Sequence, residues 1–147
     1  MTATSPLAAG GRTIPYDYSV RFDLDGARDQ EHVEVLSISI EAAFTAVSIG
    51  YGFVPEPTSA GSFSDRGIQF LYEIFDEGSG RAFQNEPVLS TAGLGDPDGE
   101  RPFRQFATPI VFEPMSTIRI EVTEASELKG SLHITLHGYK TLLGRQG

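Results

Sequence analysis

Two stretches in the last third of the chain alternate apolar and polar residues with a period of two. From Thr117 to Thr123 the order is Thr-Ile-Arg-Ile-Glu-Val-Thr, and from Ser131 to His137 it is Ser-Leu-His-Ile-Thr-Leu-His. Successive side chains of a strand point to opposite faces, so Ile118, Ile120 and Val122 share one face, as do Leu132, Ile134 and Leu136. Lys129-Gly130 supplies turn chemistry before the second run. The pattern predicts an antiparallel hairpin with one buried and one wet face, the usual material of sandwiches and jelly rolls.

The same alternation recurs upstream. Tyr16, Tyr18, Val20, Phe22 and Leu24 fall on one face of a strand, and Leu36, Ile38 and Ile40 do so in a run from Val33 to Ile40. From Thr45 the large residues move to odd positions, with Val47, Ile49, Tyr51 and Phe53. A parity change inside an apolar run implies a bulge, a bend or a short connection near Ala42 to Ala46. Ala and Glu would also permit helix over Ile40 to Val47, but the alternation on both sides favours strand. Ile68 to Phe75 has so few polar slots that it reads as a strand buried on both faces. Phe103 to Phe112 leads into another, with Pro109 and Pro114 bounding Ile110-Val-Phe as suits an edge or a strand start. Polar turns cover Asp25 to Glu31 and Asp76 to Arg81. A loop spans Pro55 to Ser64, and Phe83 to Pro102 is the longest irregular part. The expectation is an all-β, antiparallel β-sandwich, jelly-roll-like, with seven or eight strands and long loops. It forms a single domain over residues 13–143, after a flexible arm at 1–12 and before a short tail at 144–147.

Composition narrows the function classes. A chain of 147 residues is long enough for one two-layer core, and 39% hydrophobic residues are too many for disorder. Cysteine is absent, which removes disulfides, thiolate metal sites and cysteine nucleophiles, and mildly favours assembly in a reducing cytoplasm. The net charge of −9 repels phosphate backbones, so nucleic acid is not an expected partner. No segment approaches the ~20 apolar residues of a membrane span, and the first residues lack the basic start and apolar run of a signal peptide.

Candidate ligand motifs are few. Asp96-Pro-Asp-Gly-Glu100 has a trace of a calcium loop, but it lacks the full ligand spacing, Pro97 stiffens it, and it reads equally as a β-turn. Asp23, Asp25, Asp29 and Glu31 form a second acidic loop with the same two readings. His133 and His137 lie four apart on one strand, facing the same way but about 13 Å apart, so one metal cannot take both. They sit on the polar face, where a surface or interface role fits better than catalysis. His32, alone at a strand start, reads as solvated. Gly93-Leu-Gly95 with Gly99 lacks the spacing and strand–helix setting of a dinucleotide site. No nucleophile elbow, paired carboxylates or phosphate loop is present, so neither an enzyme nor a cofactor is expected.

Two features suggest assembly. One is the arm of small residues ending in Gly10-Gly11-Arg12, of a kind that orders against a neighbouring subunit. The other is a supply of aromatic rings, Phe44, Phe53, Phe63, Phe83, Phe103 and Phe106, that fall in or beside loops. Such rings either anchor a partner or plug the ends of the sandwich. The candidate interface is Arg12, Tyr51, Phe53, Phe83, Phe103, Phe106, His133 and His137.

One longer constellation is familiar: Ser79-Gly-Arg-Ala-Phe-Gln-Asn-Glu-Pro87, then Arg101-Pro-Phe-Arg-Gln-Phe-Ala-Thr-Pro-Ile-Val-Phe-Glu-Pro-Met-Ser-Thr-Ile-Arg-Ile-Glu-Val122, and finally Leu132-His-Ile-Thr-Leu-His-Gly-Tyr-Lys140. Over residues 68–143 it resembles small virion proteins of tailed bacteriophages, the accessory β-sandwiches described as head decoration, cement or minor structural components. The resemblance implies a structural protein of the virion, assembled in the host cytoplasm and present in many copies. It would bind the major capsid protein and itself, as a homo-oligomer with a trimer favoured. It supplies no catalytic residues. The alternative is a glycan-binding β-sandwich for host recognition, with Tyr51, Phe53 and Arg81 as the sugar platform. A jelly-roll enzyme would need histidines and carboxylates inside the barrel, against the outward phase of all three histidines.

Overall fold

A computed structural model describes residues 11–57 and 67–143. Among them are nine strands and one short helix: β1 Gly11–Asp25, β2 Glu31–Ser37, β3 Ala42–Pro55, β4 Phe70–Asp76, β5 Arg81–Ala82, β6 Val88–Leu89, α1 Ser90–Gly93, β7 Phe103–Phe112, β8 Thr117–Glu124 and β9 Lys129–Leu143. They form two antiparallel sheets packed face to face, an all-β sandwich. One sheet runs β1-β9-β3-β7 and the other β2-β8-β4-β5, with β6 also on β4. The pairing is nested: β1 with β9, β2 with β8, β3 with β7, β4 with β5 and β6. A long hairpin centred on the β4–β5 turn has rolled up, adding the β9–β3 and β8–β4 ladders. Residues 1–10, most of the expected arm, lie outside the described residues, as do Phe63 and the expected tail at 144–147. Gly11 and Arg12 already belong to β1, paired with Leu143 and Leu142.

The alternating runs become strands whose apolar faces meet between the sheets, except that the run from Val33 to Ile40 ends as a strand at Ser37 and Ile40, expected on the buried face, sits in the following turn at 70% exposure. Phe22, Phe44, Phe70 and Phe112 are fully buried between the sheets, with Ile118, Ile120, Leu132, Ile134 and Leu136. Each such side chain is worth roughly 1.5–3 kcal/mol of apolar burial. The expected hairpin between the last two runs is corrected by the structure. β8 lies in one sheet and β9 in the other. Alternation reports which face a strand buries, not which neighbour it bonds. The four residues from Ala125 to Leu128 can reach about 13 Å, enough to cross the ~10 Å between sheets. The strand count is likewise nine rather than seven or eight, because β5 and β6 are two-residue bridges inside a stretch read as loop or turn. In β4 one face is fully buried and the other only half-buried, so it is not enclosed on both sides as expected.

The parity change is a bulge within β3, slightly later than predicted. Ala42, Phe44 and Ala46 face the core, then the register slips between Ala46 and Ser48 and Ile49, Tyr51 and Phe53 take over. Opposite the slip, Gly138 of β9 comes so close that a Cβ there would run into the Thr45 carbonyl oxygen. The clashing partner is backbone, which cannot step aside. Gly138→Ala is therefore expected to cost about 1–3 kcal/mol, read as a lower urea midpoint. An unchanged midpoint would mean that the bulge can relax.

Candidate functional site

The corner where β8 crosses to β9 is held by one carboxylate. Glu124 follows Ile118, Ile120 and Val122 on the core-facing positions of β8 and is 1% exposed. Its Oε2 accepts from the Asp25 N–H at 2.9 Å and from His32 Nε2 at 2.6 Å. Its Oε1 accepts from the N–H groups of Gly26 at 2.9 Å and Ala27 at 3.1 Å. A carboxylate only accepts, so the His32 ring carries its proton on Nε2. His32 is thus part of a buried clasp and not the solvated residue expected. Asp25, His32 and Glu124 bring possible ligand atoms within 4.8 Å of one another. The two Glu124 oxygens are already taken by four donors, so this geometry serves the turn rather than an ion.

The calcium-loop candidate, Asp96 to Glu100, closes as a turn. Asp96 Oδ1 accepts from the Asp98 N–H at 3.0 Å, and the Asp96 N–H donates to the Arg101 carbonyl at 2.8 Å. The turn sits beside Tyr51 and Phe53, and all line a cleft of about 390 Å³. The two rings point inward, however, at 8% and 7% exposure, and Tyr51 stands edge-on to Phe70 with centroids 5.1 Å apart. Neither offers a face for a sugar to stack on. Arg81 lies on β5, opposite Asp76, and does not line this cleft.

The other expected interface residues separate into groups. His133, His137 and Phe103 share the outer face of the β1-β9-β3-β7 sheet. One row reads Asp17, His137, Ser48, Gln105, the next Ser19, Thr135, Gly50, Phe103, and the third Arg21, His133, Gly52. Phe103 is half exposed and leans over Gly50 with its ring edge toward His137, centroids 6.3 Å apart. His137 Nδ1 lies 3.4 Å from the Asp17 carboxylate. Phe83 and Phe106 pack against the core, Phe83 edge-to-face on Phe112 at 5.8 Å, so these rings act as plugs. Arg12 is at the far end of β1.

Sequence reasoning missed two features. The Glu124 clasp had a signal: an acid at the next even position after three buried apolar ones. The apolar edge on β2, where Val33 and Val35 are each 52% exposed, had none beyond ordinary alternation.

No protein-family model and no curated protein matches this chain.

At the end of the sandwich where β1 begins, Lys140 is buried with its Nζ 3.8 Å from the Tyr16 ring centroid and 3.4 Å from Glu41 Oε1. Burial works against its charge, but Tyr18, Tyr16 and Glu41 outweigh it and hold the ammonium above its usual range. Burial also raises the Tyr51 phenol, helped by Asp96, and the Tyr72 phenol, there partly offset by Arg104. A group whose pKa is raised by folding stabilises the fold below its unfolded pKa and loses that contribution as pH climbs through the folded value. Stability should therefore fall above pH 10.0 through the tyrosines and above 10.5 through Lys140. Urea midpoints across that range should decline, and less steeply in Tyr51→Phe/Tyr72→Phe; equal slopes would remove the tyrosines from the account.

Removing the clasp is the sharper test of this corner. Glu124→Ala strands three backbone donors and His32, and should cost about 3–5 kcal/mol. Asp98→Ala, on the exposed turn, should stay within about 0.5 kcal/mol. Similar urea midpoints for the two variants would show that the clasp contributes nothing.

Proposed function

We propose that this chain is a non-catalytic structural protein of a bacteriophage particle, a head decoration, cement or minor component. In this reading it binds the major capsid protein and further copies of itself, and resides in the virion. The observation that carries the reading is the free edge of β2. Among the described residues that strand pairs only with β8, and Val33 and Val35 point outward from it with about half their surface exposed. An unpaired edge with apolar side chains is a template for another chain, and a protein that stays alone usually guards it with charge, proline or a bulge. The strand carries two charges, Glu31 and Glu34, and no proline. At one tip of the sandwich Ile40 and Met115 are 70% and 67% exposed on neighbouring loops joined through Ile38, giving a second apolar contact point. The nested pairing is compatible with a jelly roll, a fold shared by capsid and lectin domains, and so with such a role, but does not decide it. The glycan-binding alternative gains no support from Tyr51 and Phe53, since their ring faces are inside.

The direct experiment is immunogold labelling of particles of the phage that encodes the chain. Gold on every particle supports the reading, and bare particles overturn it. For self-association, light scattering at two concentrations should give an oligomer that Val33→Lys/Val35→Lys reduces to monomer without lowering the melting temperature. A mass unaffected by the substitutions would move the contact elsewhere.

A further inference from the structure

The outer rim of β2 has a fixed hydrogen-bonding phase. At both ends of the β2–β8 ladder an even-numbered residue bonds across it. The Gln30 carbonyl accepts from the Glu124 N–H at 2.9 Å, and the Ile38 N–H donates to the Ser116 carbonyl at 2.9 Å. Pairing runs from Glu31 to Ser37 without a register break. Bonded and unbonded residues alternate in an antiparallel ladder, so even residues turn their N–H and C=O toward β8 and odd residues turn theirs away. Glu31, Val33, Val35 and Ser37 thus offer their main chain to the rim, where no described strand pairs.

The side chains have a phase as well. The odd residues stand on the outer face of the sheet, Val33 in the row of Glu121 and Val35 in the row of Arg119. The even residues His32 and Glu34 stand on the other face, with buried Leu36. An added strand must bring its own rim-facing residues opposite those of β2. For an antiparallel second copy of β2, that allows a twofold axis at His32, Val33, Glu34 or Val35. An axis at Glu34 sets this carboxylate against itself, and like charges directly opposite destabilise a sheet. An axis at His32 brings Glu31 into the row of Glu121 of the second copy, again acid toward acid. An axis at Val35 sets Glu34 against Leu36, a core residue. Only an axis at Val33 matches unlike groups on both faces. On one face Glu34 meets His32 twice, an acid against a base. On the other Val33 meets Val33, and Glu31 enters the row of Arg119 at a strand-to-strand distance of about 10 Å, close enough for attraction.

We propose that the β2 rim takes a second copy of this chain, antiparallel about a twofold axis at Val33, so that the β2-β8-β4-β5 sheets of two copies run on as one. Glu31, Val33 and Val35 of each copy exchange about six main-chain hydrogen bonds, and the valines close over them on the outer face. The occupant is a second copy because the charge pattern of the strand is its own complement in this register. The inference rests on the reading of β2 as an assembly edge and names what fills it. An isologous contact joins copies in pairs, which argues for an even-numbered assembly over the trimer that the resemblance implies.

The chain has no cysteine, so single substitutions report the register directly. A residue on the twofold axis meets its own copy at about 4.5–5.5 Å between Cα atoms, inside the span of a disulfide. Val33→Cys, Glu34→Cys and Val35→Cys all change exposed side chains, so the reduced variants should melt with the parent chain. Under mild oxidation Val33→Cys should form a covalent dimer roughly tenfold faster than the other two, read on a non-reducing gel. Faster linking at residue 34 or 35 overturns the pairing, and no linking at any of the three overturns the second copy as occupant. The unsubstituted chain gives a second reading. One short strand makes a weak contact, so amide hydrogen exchange is compared at about 10 μM and about 1 mM chain. At the higher concentration the Val33 and Val35 N–H groups should exchange roughly tenfold more slowly. Ser37 should stay fast, since its opposite position lies before the start of the second strand. Unchanged rates at Val33 and Val35 overturn the proposal. An oligomer that Val33→Lys/Val35→Lys dissolves, but that fails to link at Val33→Cys, removes this partner and leaves the assembly edge standing; a monomer at both concentrations removes both.

Discussion

Glu124 sets the corner on which both sheets turn. The β1–β2 connection must carry the chain from one sheet to the other, and it does so with three successive backbone N–H groups, at 25, 26 and 27, pointing inward. Buried donors of that kind have to be paired, because an unpaired one costs free energy comparable to a lost hydrogen bond. The Glu124 carboxylate pairs all three and accepts a hydrogen bond from His32 Nε2 as well. The same residue ends β8 where the chain crosses back toward β9. Its main chain is tied to the same turn, with Asp29 donating to its carbonyl at 2.8 Å and its own N–H donating to Gln30 at 2.9 Å. One residue thus couples the first crossing of the roll to the last one.

The nested pairing depends on that coupling. β9 is hydrogen-bonded on both sides along nearly its whole length, to β1 and to β3, so it can form only after the chain's two ends have been brought together. Contacts of such sequence separation are slow to form and reward the chain late. The bulge at Ala46 to Ser48 and the close approach of Gly138 bend the shared ladder where it would otherwise stay flat.

The four edges of the sandwich are not treated alike. β1 carries Pro15 and the alternating charges Asp17, Arg21 and Asp23. On β7, Pro109 and a register break opposite β3 spoil the ladder. β5 and β6 are two residues each. β2 presents Val33 and Val35 outward, and β7 presents Phe103 and Val111 to a similar extent. Uneven guarding of this kind favours a protein built to meet others along chosen edges.

Much of this architecture was legible from alternation alone. Ile118, Ile120 and Val122, then Leu132, Ile134 and Leu136, were placed on buried faces before any coordinates, and each proves almost wholly buried. Pro109 announced an edge, and the parity change in β3 announced a bulge, because backbone sterics act locally and leave a mark in neighbouring residues. Partners in space leave no such mark. Nothing local distinguishes a hairpin between β8 and β9 from a crossing between sheets, since both need the same faces and a short polar link. His32 met Glu124 across 92 residues, and Tyr51 and Phe53 turned inward because the bulge had already reset their phase. The sequence by itself determined which residues would be strand and which side of each strand would be dry, as a consequence of the two-residue repeat. The tertiary structure decided which strands pair and which polar groups meet, because those choices rest on long-range packing and on the need to satisfy every buried donor.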